Sequence, residues 1–94
     1  MYKIIFSNES VESIDEIYSH YVERFSPEAA DELLSNFRKV IRRTMWYREL
    51  GKHYRGDIRY LVVRTNFIIF YTSIKKDMFI ISISRVSKNY FLSL

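Results

Sequence analysis

IRYLVVRTNFIIFYTSIKKDMFIISISRV, residues 58–86, is an almost unbroken β pattern, and its reading decides the fold. Runs rich in Val, Ile, Phe and Tyr are separated by short polar breaks, which predicts three strands at 58–64, 67–72 and 78–86. Thr65-Asn66 makes the first turn, and Lys75-Lys76-Asp77 lies in the second. Connections this short leave neighbouring strands no choice but to pair antiparallel. Several strand positions are apolar on both faces. One face can cover helices; the other is unusually apolar for a face in water, which predicts a second partner surface, such as a peptide laid over the sheet.

Working back from residue 58, the stretch MWYRELGKHYRGD (45–57) reads as irregular, punctuated by Gly51 and Gly56. Two amphipathic helices precede it. In the first, Val11, Ile14, Tyr18, Tyr21, Val22 and Phe25 fall at spacings of three and four and form one apolar stripe, with Ser7 or Asn8 as N-cap. Glu9, Glu12, Asp15 and Glu16 crowd its first turns, where the helix dipole favours anions. Ser26-Pro27 breaks the chain and starts the second helix, with Ser26 as cap and Pro27 at the first helical position. Ala30, Leu33, Leu34, Phe37, Val40 and Ile41 form its stripe, and Arg38, Lys39, Arg42 and Arg43 load its C-terminal end. Nearly contiguous helices predict an antiparallel hairpin whose stripes are core. The apolar run at 2–6 (YKIIF) reads as an opening strand. The expected fold is one α+β domain over 1–94, β-α-α-β-β-β, with the helix hairpin on one face of a mainly antiparallel sheet.

The charge is sorted along the chain. Residues 1–37 hold eight acids and two bases; residues 38–94 hold three acids and thirteen bases. Mere solvation does not require such sorting, whereas a basic sheet face aimed at an acidic partner produces it. The absence of cysteine excludes disulfides and thiolate metal ligands, and fits a reducing compartment. The opening lacks the apolar stretch of a signal peptide, and no apolar run approaches the roughly 20 residues that span a bilayer. The expectation is a cytoplasmic, soluble protein with no membrane association. His20 and His53 have no partner at metal-ligand spacing. There is no glycine-rich phosphate loop and no Ser/His/Asp constellation. Neither a metal nor a cofactor is therefore expected.

A few side chains stand out as candidates. Arg59 opens a strand whose alternation set includes Leu61 and Val63, and Arg85 closes one on the face of Phe79, Ile81 and Ile83. An arginine at the end of an apolar face either lines a functional surface or snorkels to water. Lys52, His53, Tyr54 and Arg55 interleave bases with aromatics, a pattern suited to phosphate contact and base stacking and equally at home in an ordinary surface loop. The tail Tyr90-Phe91-Leu92-Ser93-Leu94 is apolar, fit for packing back on the fold or for contacting a partner.

The order strand, helix hairpin, three-stranded meander, in a basic chain of this length, resembles the RelE/ParE superfamily of bacterial toxins from type II toxin–antitoxin systems. The opening YKIIFSNESVESIDEIYSHYVERFSPEAADEL (2–33) is similar to the start of ParE-type toxins, including the step Ser26-Pro27-Glu28-Ala29-Ala30 into the second helix. Trp46-Tyr47-Arg48-Glu49-Leu50-Gly51 resembles a family turn, without its proline. Arg59-Tyr60-Leu61-Val62-Val63, Phe67-Ile68-Ile69-Phe70-Tyr71 and the final Arg85-Val86 are similar to the family's strands.

The resemblance implies a choice between two mechanisms. RelE-like members are ribosome-dependent messenger RNA endonucleases; ParE-like members are plasmid-stabilisation toxins that inhibit DNA gyrase by binding it. Metal-free RNA cleavage needs a base, an acid and cations around one phosphate. This chain has Ile68 where RelE-like toxins place an arginine, and Asn89 after Lys88 where another is expected. Tyr90, the C-terminal phenol, sits earlier than their catalytic tyrosine, and Tyr71 matches a family tyrosine that reads as core. These departures fit the ParE pattern. The resemblance thus implies a toxin neutralised by a small acidic antitoxin, with Lys52, Arg55, Arg59, Arg85 and Lys88 contacting gyrase. The alternatives are an endoribonuclease on ribosome and messenger RNA using Arg59, Arg85, Lys88 and Tyr90, or a non-toxic family member acting as a binding module.

Overall fold

The computed structural model describes residues 3–85. The elements run β1 (Ile4–Phe6), α1 (Asn8–Arg24), α2 (Pro27–Trp46), β2 (Lys52–Arg55), β3 (Ile58–Val63), β4 (Phe67–Ile74) and β5 (Asp77–Arg85), with a 3-10 turn at Arg48–Leu50 before β2. The strands form one sheet in the order β1-β5-β4-β3-β2. β1 runs parallel to β5, and the other neighbours are antiparallel. The expected α+β order therefore stands, with one strand more than the sequence announced.

That extra strand is β2, inside the stretch expected to be irregular. Its residues Lys-His-Tyr-Arg are all exposed and carry no apolar alternation, so periodicity could not reveal it. It exists because β3 offers a pairing edge: Lys52 lies opposite Tyr60, and His53 opposite Arg59. Gly56, with φ of 53°, supplies the left-handed turn between the two strands.

The helix starts follow the caps written in the sequence. Of the two candidates for α1, Ser7 is the cap: its Oγ accepts the Ser10 N–H at 3.0 Å and donates to the Ile81 carbonyl at 2.6 Å, joining the helix to β5. Ser26 Oγ accepts the Ala29 N–H at 3.0 Å, with Pro27 leading α2. The hairpin lies over one face of the sheet. Ala30, Leu33, Phe37 and Ile41 of α2 pack with Tyr21 of α1 against Leu61, Val63, Phe67, Ile69, Tyr71, Met78, Ile80 and Ile83. Phe67 is fully buried at the centre, 5.4 Å from the Phe37 ring in an edge-on contact.

Two expectations about faces are corrected. Val11 and Phe25, assigned to the α1 stripe, are 46% and 64% exposed. In α1 only Ser10 and Tyr21 are buried, and the helix packs on α2 and on β5. Arg85 does not share a face with Phe79 and Ile81. A bulge in β5 sets Ile80 opposite Tyr71 and Ser82 opposite Phe70, leaving Ile81 as the extra residue. The alternation resets, so Arg85, opposite buried Phe67, continues the helix-covered face of Met78, Ile80 and Ile83.

Candidate target-binding surface

The basic half of the chain is positioned by a network at the end of α2. Tyr71, 1% exposed on β4, donates its hydroxyl proton to the Arg48 carbonyl at 2.8 Å and accepts the Gly51 N–H at 2.9 Å. Burial pushes the Tyr71 phenol above its ordinary pKa, while the Gly51 hydrogen bond and the Arg59 charge pull the other way. Gly51 is there because nothing larger fits: a Cβ would sit 2.5 Å from the Tyr71 hydroxyl and 2.8 Å from the Tyr60 carbonyl. Arg48 spends its guanidinium on the backbone. It donates to the carbonyls of Met45 (2.7 Å), Asp77 (3.0 Å) and Lys76, and to Ser73 Oγ (2.9 Å). The 3-10 turn is thereby locked to the sheet and to the β4–β5 turn, and β2 leaves it in a fixed direction.

Arg59 belongs to this corner. Its Nη1 donates to the Gly51 carbonyl at 2.9 Å and approaches the Glu49 carbonyl at 3.5 Å. It lines a cleft of about 260 Å³ with Arg48, Glu49, His53, Gly56, Asp57, Tyr71 and Ser73. His53 Nε2 lies 3.1 Å from the Gly56 carbonyl. Lys52 and Arg55 are exposed on β2, the outer strand of the sheet. Arg55 carries its guanidinium carbon 5.6 Å from the centre of the Tyr54 ring.

Arg85 is elsewhere. It is exposed at the end of β5 and lines a second cleft, about 300 Å³, with Ser13, Glu16, Ile17, His20 and Ile83. Arg59 lies opposite Tyr71 on β4 and Arg85 opposite Phe67, so four residues of β4, roughly 13 Å of strand, separate their levels. Of the expected contact residues, Lys52 and Arg55 lie on β2, Arg59 lies on the neighbouring strand in the cleft with Tyr71, and Arg85 is set apart at the end of β5. Lys88 and Tyr90 lie outside the described residues. Among the described residues, no group of three or more His, Cys, Asp or Glu is placed to hold a metal, and no helix is long and apolar enough to cross a membrane.

Arg48 and Gly51, which hold this corner together, were not singled out by sequence reasoning as anything beyond a turn. Gly51 gave a signal, as one of two glycines punctuating a stretch read as irregular. Arg48 gave none, because its partners are backbone carbonyls of residues far along the chain.

A helix hairpin lies on one face of a mixed, mostly antiparallel sheet, with the cations gathered on the second helix and the strands, the architecture expected of the RelE/ParE superfamily. The chain belongs to the ParE toxin family: the family described as "ParE toxin of type II toxin-antitoxin system, parDE" matches residues 4–90. A solved chain from the "Chromosomal ParDE TA system from P. aeruginosa" has the same fold, with a TM-score of 0.78 and 21% identity, covering 93% of this chain and 98% of that one. No curated protein matches the chain in sequence.

Proposed function

We propose that this chain arrests DNA gyrase by binding it, and that a cognate acidic antitoxin holds it inactive. Membership of the ParE family carries the reading. The geometry supports binding over catalysis. Arg59 and Arg85 occupy separate clefts, the Tyr71 hydroxyl is committed to two backbone groups, and the Arg48 guanidinium is committed to carbonyls and a serine. Metal-free phosphodiester cleavage needs its acid, base and cations around one phosphate. A protein contact can instead use cations spread over several strands, and Lys52, Arg55, Arg59, Arg85 and Lys88 serve it as docking and steering groups.

The antitoxin is a small acidic protein, partly disordered when free, that wraps the basic and apolar surface. The carboxylates of Glu12, Asp15 and Glu16 on α1 stay outside that wrap, since like charges would oppose it. Cross-links from antitoxin to that helix face would contradict the arrangement.

The test is a supercoiling and DNA-cleavage assay with gyrase of the source organism and refolded, antitoxin-free protein. Loss of supercoiling with trapped cleaved DNA is the expected result, abolished by Arg59→Ala and Arg85→Ala in variants shown to fold. Full gyrase activity in the presence of folded protein would sink the reading and turn attention to ribosome-dependent messenger cleavage.

A further inference from the structure

The face of the sheet away from the helices carries a feature that a protein contact does not require. Tyr54 of β2, Tyr60 of β3 and Phe70 of β4 form an aromatic row across three strands. The Tyr54 and Phe70 rings lie 4.9 Å apart edge-on, and Tyr60 lies 6.2 Å from Phe70. Tyr54 is 37% exposed and the other two are half-buried. Lys52 sits opposite Tyr60 in register and Arg55 lies against Tyr54, so both cations stand on β2, along the outer side of the row. Beside it is a hollow of about 340 Å³ framed by His53, Tyr54, Arg55 and Tyr60. Strands β2, β3 and β4 contain no aspartate or glutamate at all.

We propose that this aromatic row is a stacking platform for an unpaired DNA strand. Bases present flat π faces that rings on a sheet can hold, and each base brings a phosphate for a neighbouring cation. A duplex keeps its bases stacked on one another and leaves nothing for such rings. An added peptide strand would use a sheet edge, and a docked helix would use an aliphatic groove. The row is neither, since it lies on the face and is built of rings. Arg55 rests on Tyr54 in the free protein and swings to a phosphate as a base takes its place. The choice of DNA over RNA rests on the gyrase reading above, since that target acts on DNA; the platform itself does not rest on it.

The test is fluorescence anisotropy of folded, antitoxin-free protein with labelled oligo(dT) about 12 nucleotides long, within the site sizes of single-strand binders. A duplex of equal length, oligo(rU), and a polyglutamate peptide of equal charge are the comparisons. Oligo(dT) is expected to bind at least about tenfold tighter than duplex or polyglutamate, and Tyr54→Ala to weaken it by about tenfold with the salt slope unchanged. Lys52→Ala is expected to lower the slope of log K against log salt by about 0.7 instead. Tyr54→Leu keeps apolar bulk without a π face and should lose as much as the alanine variant. Duplex binding as tight as oligo(dT), polyglutamate binding as tight, or indifference to both Tyr54 variants overturns the platform, the second outcome in favour of an acidic peptide. Oligo(rU) binding more than about tenfold tighter than oligo(dT) overturns the assignment to DNA. Gyrase inhibition measured on the same sample separates the two readings. Inhibition without oligo(dT) binding removes the platform alone, and oligo(dT) binding without inhibition removes the gyrase reading alone.

Discussion

The two faces of the sheet are built from the same residue types and do different work. On the helix-covered face, Phe67, Ile69, Tyr71, Met78 and Ile80 are at most 1% exposed. On the other, Phe70, Thr72 and Phe79 alternate with them along the same strands and stay partly exposed, with Val62 at 43%, while Ile68 near the start of β4 is buried at 1%. Burial alone therefore explains the first face, where apolar side chains are needed to cover α1 and α2. It does not explain why a face without a helix keeps rings and aliphatics. What differs is the company: the covered face has apolar neighbours from two helices, the open face has Lys52 and Arg55. The covered face specifies the fold, and the part of the other face around Tyr54, Tyr60 and Phe70 stays accessible.

The comparison breaks most visibly at two phenylalanines three residues apart on β4. Phe67→Ala should cost about 3–5 kcal/mol, because a fully enclosed ring leaves a cavity that Phe37 and Tyr21 cannot close. Phe70→Ala should cost roughly 1–2 kcal/mol, since water already reaches part of the ring and can fill the gap. Urea unfolding of both variants checks the difference. Equal losses would mean that the open face is as much core as the covered one, and the stacking platform would lose its structural basis.

Next in size is the corner where the two faces meet. Tyr71→Phe keeps the ring but leaves the Gly51 N–H and the Arg48 carbonyl without their partner, at about 1–3 kcal/mol. The same residue gives a pH signature. Burial raises the Tyr71 phenol above its ordinary 10.0, so the folded state holds that proton more firmly than the unfolded chain. The associated stability is whole below pH 10.0 and is lost as pH rises through the folded-state value. Denaturation curves between about pH 8 and pH 11 should show this fall in the parent and less of it in Tyr71→Phe. Tyr18, raised first by its hydrogen bond to Asp31 and then by burial, titrates in the same direction and accounts for a residual slope.

These residues also mark where the sequence could be read and where it could not. The meander, the helix hairpin and the Ser26 cap were legible, and the first cap to within Ser7 or Asn8, because periodicity and capping act over a few neighbouring residues. Ser26→Ala should accordingly cost about 1 kcal/mol, as an N-cap whose acceptor serves the Ala29 N–H. β2 was not legible, because its strand character comes from β3 and not from its own four polar and aromatic residues. The face of Arg85 was not legible either, because one inserted residue at Ile81 reverses every alternation beyond it. The Arg48 corner escaped for a related reason: its bonds reach Ser73 and Asp77, 25 and 29 residues away, and backbone acceptors leave no mark in a sequence.

The smallest effect concerns how the helix layer is tied to the sheet. Arg64, at the β3–β4 turn, places its guanidinium 3.8 Å from the Glu32 carboxylate of α2. Glu32 is 75% exposed on its side chain and Arg64 34%, so water screens the pair from both sides. Glu32→Gln should change stability by less than about 0.5 kcal/mol at low salt, and by nothing measurable near 1 M salt, where the Debye length is about 3 Å. A loss above about 1 kcal/mol that survives high salt would show that this pair, and not the apolar contact of Phe37 with Phe67, sets the seating of α2. The expected null places the grip of the helices on the covered face alone. It also leaves the charges at the rim of the sheet free to answer to a partner.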